Sequence, residues 1–224
     1  MKRNRRTDTR FRRFEKMKGK PRGCAGCGTG MIEAILATKA CSAKARWTVK
    51  AVVTLCVVVL AVALPQCIHP IAGASGGMIW LPMYLPVLLG GCLLGVRFGM
   101  AAGIAAPIVS FLLTSAAGQA MPTLARLPFM AAELAMMALI TGLFSGAVAK
   151  RPAMAFVAVP TAFLGGRAFF LMAVTVLSSV TALTPELVLR QIRMGIPGML
   201  LQAVLVPVVI LAVSRAAKIE ARHE

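Results

Sequence analysis

The sequence predicts an all-α, polytopic membrane protein: six transmembrane helices in a compact bundle, with the N and C termini cytoplasmic. Three observations predict it. Of 224 residues, 58% are apolar and only 14% are charged, and the mean hydropathy is +0.81. Soluble domains run at about 45–50% apolar and about 25% charged. The apolar residues fall in runs of helix length, roughly 20 residues for a hydrocarbon core about 30 Å thick, and not in the ten-residue alternating segments of a barrel. The charge is also lopsided: 15 of the 25 Lys and Arg residues precede residue 51.

Residues 1–46 read as a basic cytoplasmic tail. The first 22, MKRNRRTDTRFRRFEKMKGKPR, carry eleven basic residues. A basic tail can bind nucleic acid. Placed ahead of a membrane domain, it reads instead as a tail that obeys the positive-inside rule and touches anionic lipid. It is not a signal peptide, because the apolar stretch comes too late and no small-residue cleavage site follows. Residues 1–30 mix charge, Gly and Pro, a composition without a core of its own, and are expected to be dispensable for folding and binding. Residues 31–46, MIEAILATKACSAKAR, predict a short amphipathic helix on the inner membrane surface.

The membrane domain, residues 47–214, divides into six spans. They are expected at about 48–67, ending near Pro65; 78–95, with Pro82 and Pro86 in its first half; 98–116; 127–148; 153–178; and 194–213. Residues 215–224 form a cytoplasmic C-terminal tail. Loop charge sets the orientation. The 1–2 loop (IHPIAGASGG) has no Lys or Arg and reads as outside. Arg97, Lys150, Arg151 and the tail residues Arg215, Lys218 and Arg222 read as inside. On this assignment 21 of the 25 basic residues face the cytoplasm, the exceptions being Arg126, Arg167, Arg190 and Arg193. That asymmetry is the positive-inside signature of a multi-pass cell-membrane protein. The outer connections, about 68–77, 117–126 and 179–193, are longer than the inner turns, so a binding surface is expected to open outward.

Two ionisable residues lie deep in the spans: Arg167, in AMAFVAVPTAFLGGRAFFLMAVTVL, and Glu133, in LPFMAAELAMMALITGLFSGAV. A charge at the bilayer centre costs roughly 2.5–3.5 kcal/mol on insertion scales, so such residues mark a site, a pathway or a buried pair. At 1.5 Å per residue, Glu133 falls roughly 9 Å, and Gln202 roughly 12 Å, below the outer end of its span. Arg167 and Tyr84 fall near the same layer, and Trp80 is grouped with them by depth. Together Trp80, Tyr84, Glu133, Arg167 and Gln202 form the candidate substrate-binding group. Plainer readings stand beside this one. Glu133 and Arg167 can be a structural ion pair. Gln202 can simply tie helices together, and Trp80 and Tyr84 can be interface-belt aromatics. Arg190 and Arg193 can be ordinary loop charges.

Several chemistries have no residues to carry them. There is no GxxxxGK[ST] loop, no HExxH and no GxSxG, and His69 and His223 are the only histidines. An enzyme is therefore not expected, no cofactor is implied, and no catalytic residue is assigned. Cys24-Ala-Gly-Cys27 is half a zinc site without a second pair, so no metal is expected either. Cys56 and Cys92, within spans, read as small packing residues. Gly91, Gly95, Gly99 and Gly103, and again Gly142 and Gly146, recur every four residues. Such small-xxx-small faces suit internal packing or the docking of another membrane subunit.

The order of YLPVLLGGCLLGVRFGMAAGIAAPIVSFLLT, MP, PFMAAELAMMALITGLFSG, AFLGGRAFF and GIPGMLLQAVLVPVVILAV resembles the substrate-binding S components of energy-coupling factor transporters. The nearest subgroup is the pantothenate type and its relatives. The likeness covers about residues 50–213. It implies six helices, an outward-facing vitamin pocket, a transmembrane coupling subunit and two cytoplasmic ATPase subunits. Glu133, Arg167 and Gln202 match the ELA, GR and GIPG-LLQ patterns and acquire a pocket role by that likeness. The long basic N-terminal extension departs from the family pattern, as does span 1, which lacks clean small-xxx-small alanines.

Three functions follow as expectations. The first is the substrate-specific membrane subunit of an ATP-driven importer, which captures a vitamin-like solute. The second is an autonomous secondary transporter with Glu133 as proton carrier, although the chain shows no obvious inverted repeat. The third is a non-transport membrane scaffold whose tail recruits cytoplasmic partners.

Overall fold

The computed structural model describes residues 30–33, 42–118, 122–177 and 183–223. Among these residues every regular element is helical. After a helical fragment at residues 31–33 come α1 (Ala43–Trp80), α2 (Tyr84–Leu94), α3 (Val96–Ala116), α4 (Leu127–Lys150), α5 (Ala155–Leu177) and α6 (Pro185–His223). A 3-10 turn, Pro152–Met154, joins α4 to α5. The basic tail through residue 29, Cys24 and Cys27 included, and residues 34–41 of the expected surface helix lie outside the described residues.

Among the described residues, five stretches are long and apolar enough to cross a membrane: Lys44–Ile68, Val96–Ala116, Leu127–Lys150, Pro152–Leu177 and Pro185–Ala217. The expected second span takes a different form. It is broken, and its main helix, α2, has 11 residues, about 16 Å of rise against a core of about 30 Å. The reason is local. Helix α1 runs past Pro65, departs from helical geometry at Gly73 (φ 66, ψ −173) and resumes to Trp80. Pro82 then disfavours the α conformation at the residue before it, and Leu81 takes φ 48, in the left-handed region. Pro86 is tolerated because it lies in the first turn of α2, where its missing N–H has no helical partner to lose. Gly95, at φ 82, ends α2 and starts α3 in one residue, a conformation that costs glycine little.

Helix α6 also departs from expectation. It begins at Pro185, inside the stretch read as an outer loop, so Arg190 and Arg193 are exposed helical residues. The signal was present in Thr184-Pro185-Glu186. The Thr184 hydroxyl accepts a hydrogen bond from the Leu187 amide at 3.4 Å, proline suits the first helical position, and an acidic residue suits the first turn.

Helix α4 is the centre of the bundle, with α2, α3 and α5 packed on it; α6 packs on α5 and α1. The core includes Leu88, Leu134, Met137, Val159, Ala162, Val206 and Ile210. The four-residue glycine repeat faces inward. A Cβ at Gly91 would strike Thr141, one at Gly99 would strike Gly91, one at Gly103 Leu134, and one at Gly142 Val96. Gly146 opens onto free space. Cys92 packs in the core as expected, whereas Cys56 is exposed on α1.

The expected surface helix starts inside the bundle. Gly30 lies against the backbone of Leu93–Gly95, Met31 is buried in the main core, and Glu33 pairs with Lys50 at 2.6 Å. Lys50 in turn lies over the Phe98 ring, which meets Trp47 edge to face. A residue without a side chain is what lets the chain reach the α2–α3 joint. Gly30 is therefore part of the packed domain, and only residues before it remain candidates for removal. Gly30→Val places a Cβ on the Leu93 carbonyl and is expected to unseat residues 30–33. Faster amide exchange at Ile32 and Glu33 in the variant would register this; unchanged exchange would show that the contact holds nothing in place.

Candidate functional site

Glu133 lies in the second turn of α4, Arg167 near the middle of α5, and Tyr84 at the first residue of α2. The fold brings the three together. Glu133 Oε1 is 3.0 Å from Arg167 Nη1, and Glu133 Oε2 accepts a hydrogen bond from Tyr84 Oη at 2.9 Å. The Tyr84 ring sits under the guanidinium, its centroid 5.1 Å from Cζ, within cation–π range. Glu133 is 1% exposed, Tyr84 2% and Arg167 4%. Three polar side chains from three helices thus share one buried point.

Helical periodicity explains the walls around this point. Residues three and four apart share a helix face. Met137 is four residues after Glu133 and Phe163 four before Arg167; both are buried, and Phe163 stacks on Tyr84 with centroids 6.5 Å apart. In the other direction, Phe129 is four residues before Glu133 and Phe170 three after Arg167. These two rings meet edge to face at 6.4 Å, and Val174, Leu183 and Val188 complete their cluster. The ionic group is therefore sandwiched between an apolar layer on each side. In so dry a setting a lone charge would be very costly, and the pairing offsets that cost.

The pairing leaves capacity over. A guanidinium has five N–H donors and no acceptor. Nη1 is close to Glu133 but off the hydrogen-bond axis, and Nε, Nη1 and Nη2 of Arg167 are buried with no hydrogen-bond partner among the described residues. Glu133 Oε1 and Gln202 Oε1 are buried acceptors in the same condition. Buried polar groups are nearly always satisfied, so these atoms stand out as core donors and acceptors that no described residue engages.

Gln202, on α6, is held elsewhere than on the Tyr84–Glu133–Arg167 cluster. Its Nε2 donates to the carbonyls of Trp80 at 2.9 Å and Leu81 at 2.8 Å. Trp80 is the last residue of α1, where helical partners run out; Leu81 follows it, and its carbonyl also accepts from the Tyr84 amide at 3.0 Å. Gln202 thus closes, from another helix, the backbone groups freed by the break. Gly198, one turn earlier on the same face, makes room: a Cβ there would strike the carbonyl of Ile79. Trp80 contributes its carbonyl to this clasp, while the residue as a whole is 44% exposed. Of the five sequence-derived residues, Tyr84, Glu133 and Arg167 form one cluster, and Gln202 and the Trp80 backbone form a clasp three to four residues up the chain from Tyr84.

Sequence reasoning missed Phe129, Met137, Phe163 and Phe170, which wall the cluster. Stepping three and four residues along the helix from each intramembrane charge would have found them. The Gly198–Gln202 clasp on a left-handed Leu81 left no sequence signal beyond Pro82.

Comparison with known protein families, curated proteins and solved structures finds no match to this chain.

Proposed function

We propose that this chain is the solute-capturing membrane subunit of an ATP-driven importer of the energy-coupling factor type, with six membrane crossings and both termini in the cytoplasm. The sixth crossing is the broken segment that leads into α2. Irregular backbone at membrane depth is tolerated where it is buried in protein or lines a site, and transporters place solute sites at such discontinuous helices. Tyr84 stands at this break and points its hydroxyl at Glu133. The observation that carries the reading is the buried Arg167–Glu133 pair with its unfilled donors, held between apolar layers: a solute site needs apolar walls and a few convergent polar groups.

The motif order that resembles S components supports the same reading and supplies the partners: a transmembrane coupling subunit and two ATPases. Work must then come from those partners, because the chain has no nucleotide-binding loop. The proton-carrier alternative is weaker, since the Glu133 carboxylate is engaged by a guanidinium and a phenol at once.

The test is functional. In liposomes containing only this protein, radiolabelled vitamins are expected to bind without concentrating inside, with or without a proton gradient. Purification from the native membrane in mild detergent is expected to retain an ATPase pair and one further membrane protein. Concentrative uptake by the chain alone would sink the importer-subunit reading and favour a secondary transporter.

A further inference from the structure

The Arg167 guanidinium already has its counter-charge. Glu133 lies 3.0 Å away on the neighbouring helix, and the third polar member of the cluster, Tyr84, is a phenol whose hydroxyl bonds Glu133. With both side chains ionised, the buried cluster sums to no net charge. An anionic group brought to Arg167 would leave the dry layer with one uncompensated negative charge, a few ångströms from the Glu133 carboxylate. Like charges in a low-dielectric site repel strongly. A neutral group does not incur this penalty. What the cluster lacks is hydrogen-bond partners: acceptors for Arg167 Nε, Nη1 and Nη2, and a donor for Glu133 Oε1.

From this balance we infer that the Tyr84–Glu133–Arg167 site takes a neutral ligand group with adjacent acceptor and donor, of the amide, lactam or ureide class, and discriminates against carboxylates. The inference rests on the solute-capture reading and sets its substrate class. Chemically, the carbonyl oxygen of such a group accepts from the free guanidinium edge, while its N–H donates to a carboxylate oxygen. Phe163, stacked on Tyr84, and the Phe129–Phe170 pair are the apolar neighbours of the cluster on its two sides. No bond is made or broken, and no proton need move. Glu133 is in this view the specificity determinant, because it cancels the charge that would otherwise make Arg167 a carboxylate receptor.

The experiment uses the full-length chain in detergent and two matched pairs of probes, propionamide against propionate and nicotinamide against nicotinate, followed by ligand-observed NMR titration. The expected result is saturable binding of the amide at least tenfold tighter than its acid in both pairs. In Glu133→Gln, which keeps the side-chain shape and leaves Arg167 uncompensated, the order is expected to reverse in favour of the acid. Equal or tighter binding of the acids by the unaltered chain would overturn the inference, as would saturable binding of neither class, which would make the cluster a closed structural pair. The unaltered chain decides the question even where Glu133→Gln does not fold. The importer role fails separately. Amide binding without an associated ATPase removes the partners and keeps the ligand class, whereas acid preference in a chain that does recruit ATPases removes the ligand class and keeps the role.

Discussion

Glu133→Ala is expected to destabilise the folded bundle by about 3–5 kcal/mol, the range for stripping one partner from a buried ion pair. The substitution leaves Arg167 between the Phe129–Phe170 and Met137–Phe163 layers with no counter-charge, and a guanidinium keeps its charge under all working conditions. Arg167→Ala is expected to cost less, because a lone carboxyl can be buried as its neutral acid and still bond to Tyr84 Oη, which lies at 2.9 Å. The double variant should be less destabilised than the sum of the two single changes, since it removes both charges together. Thermal unfolding in detergent, followed by loss of monodisperse protein, checks all three. A Glu133→Ala midpoint within a degree or two of the parent's would mean that the pair is hydrated and that the dry sandwich is wrong. Arg167→Ala also separates binding from stability: a well-folded variant that no longer binds solute assigns Arg167 to the ligand.

The second large effect is expected at Gly198→Val. A Cβ at this position meets the backbone of Ile79 and Trp80, and a backbone carbonyl inside a turn cannot swing aside as a side chain can. Helix α6 must move off, and Gln202, one turn away, then loses its bonds to the Trp80 and Leu81 carbonyls. Overpacking of this kind costs typically 1–3 kcal/mol, and the Trp80 carbonyl, left unpaired, adds about 1–3 kcal/mol, whereas the Leu81 carbonyl keeps its bond from the Tyr84 amide at 3.0 Å. Leu81, at φ 48, is a strained residue of the kind that persists only where its surroundings over-determine it. Loss of the clasp should therefore let the 80–83 segment relax and Tyr84 leave Glu133. Gln202→Leu, similar in volume and free of the steric clash, isolates the hydrogen-bond part and should show a smaller loss with the same local loosening. Amide exchange across residues 79–85 reads both variants. Protection there equal to the parent's in Gly198→Val would show that the break holds itself together without α6.

Much of this protein is written locally in its sequence, because a membrane helix satisfies its own backbone and needs only length and hydropathy to be recognised. Hence α3, α4 and α5 lie within two residues of where their apolar runs place them. The ionic pair was legible for the same reason: two charges in spans that otherwise contain none have few places to go except to each other. Even the early start of α6 was spelled out by Thr184-Pro185-Glu186, although Arg190 and Arg193 argued for a loop.

The tertiary structure alone decided the rest. That Pro82 and Leu81 break the second span, and that Gln202 closes the break from a distance of 121 residues, depends on which helix lies opposite, and no local preference records that. The inward use of Gly91, Gly99, Gly103 and Gly142 was likewise undetermined, since a small-residue face is equally suited to a neighbouring helix of the same chain or of another. The seating of Gly30 and Met31 in the core was hidden because two or three residues carry no periodicity. The largest decision concerned charge: sequence placed Arg167 and Glu133 at similar depth, but only the fold sets them 3.0 Å apart, each the other's counter-charge, because that depends on how α4 and α5 face each other.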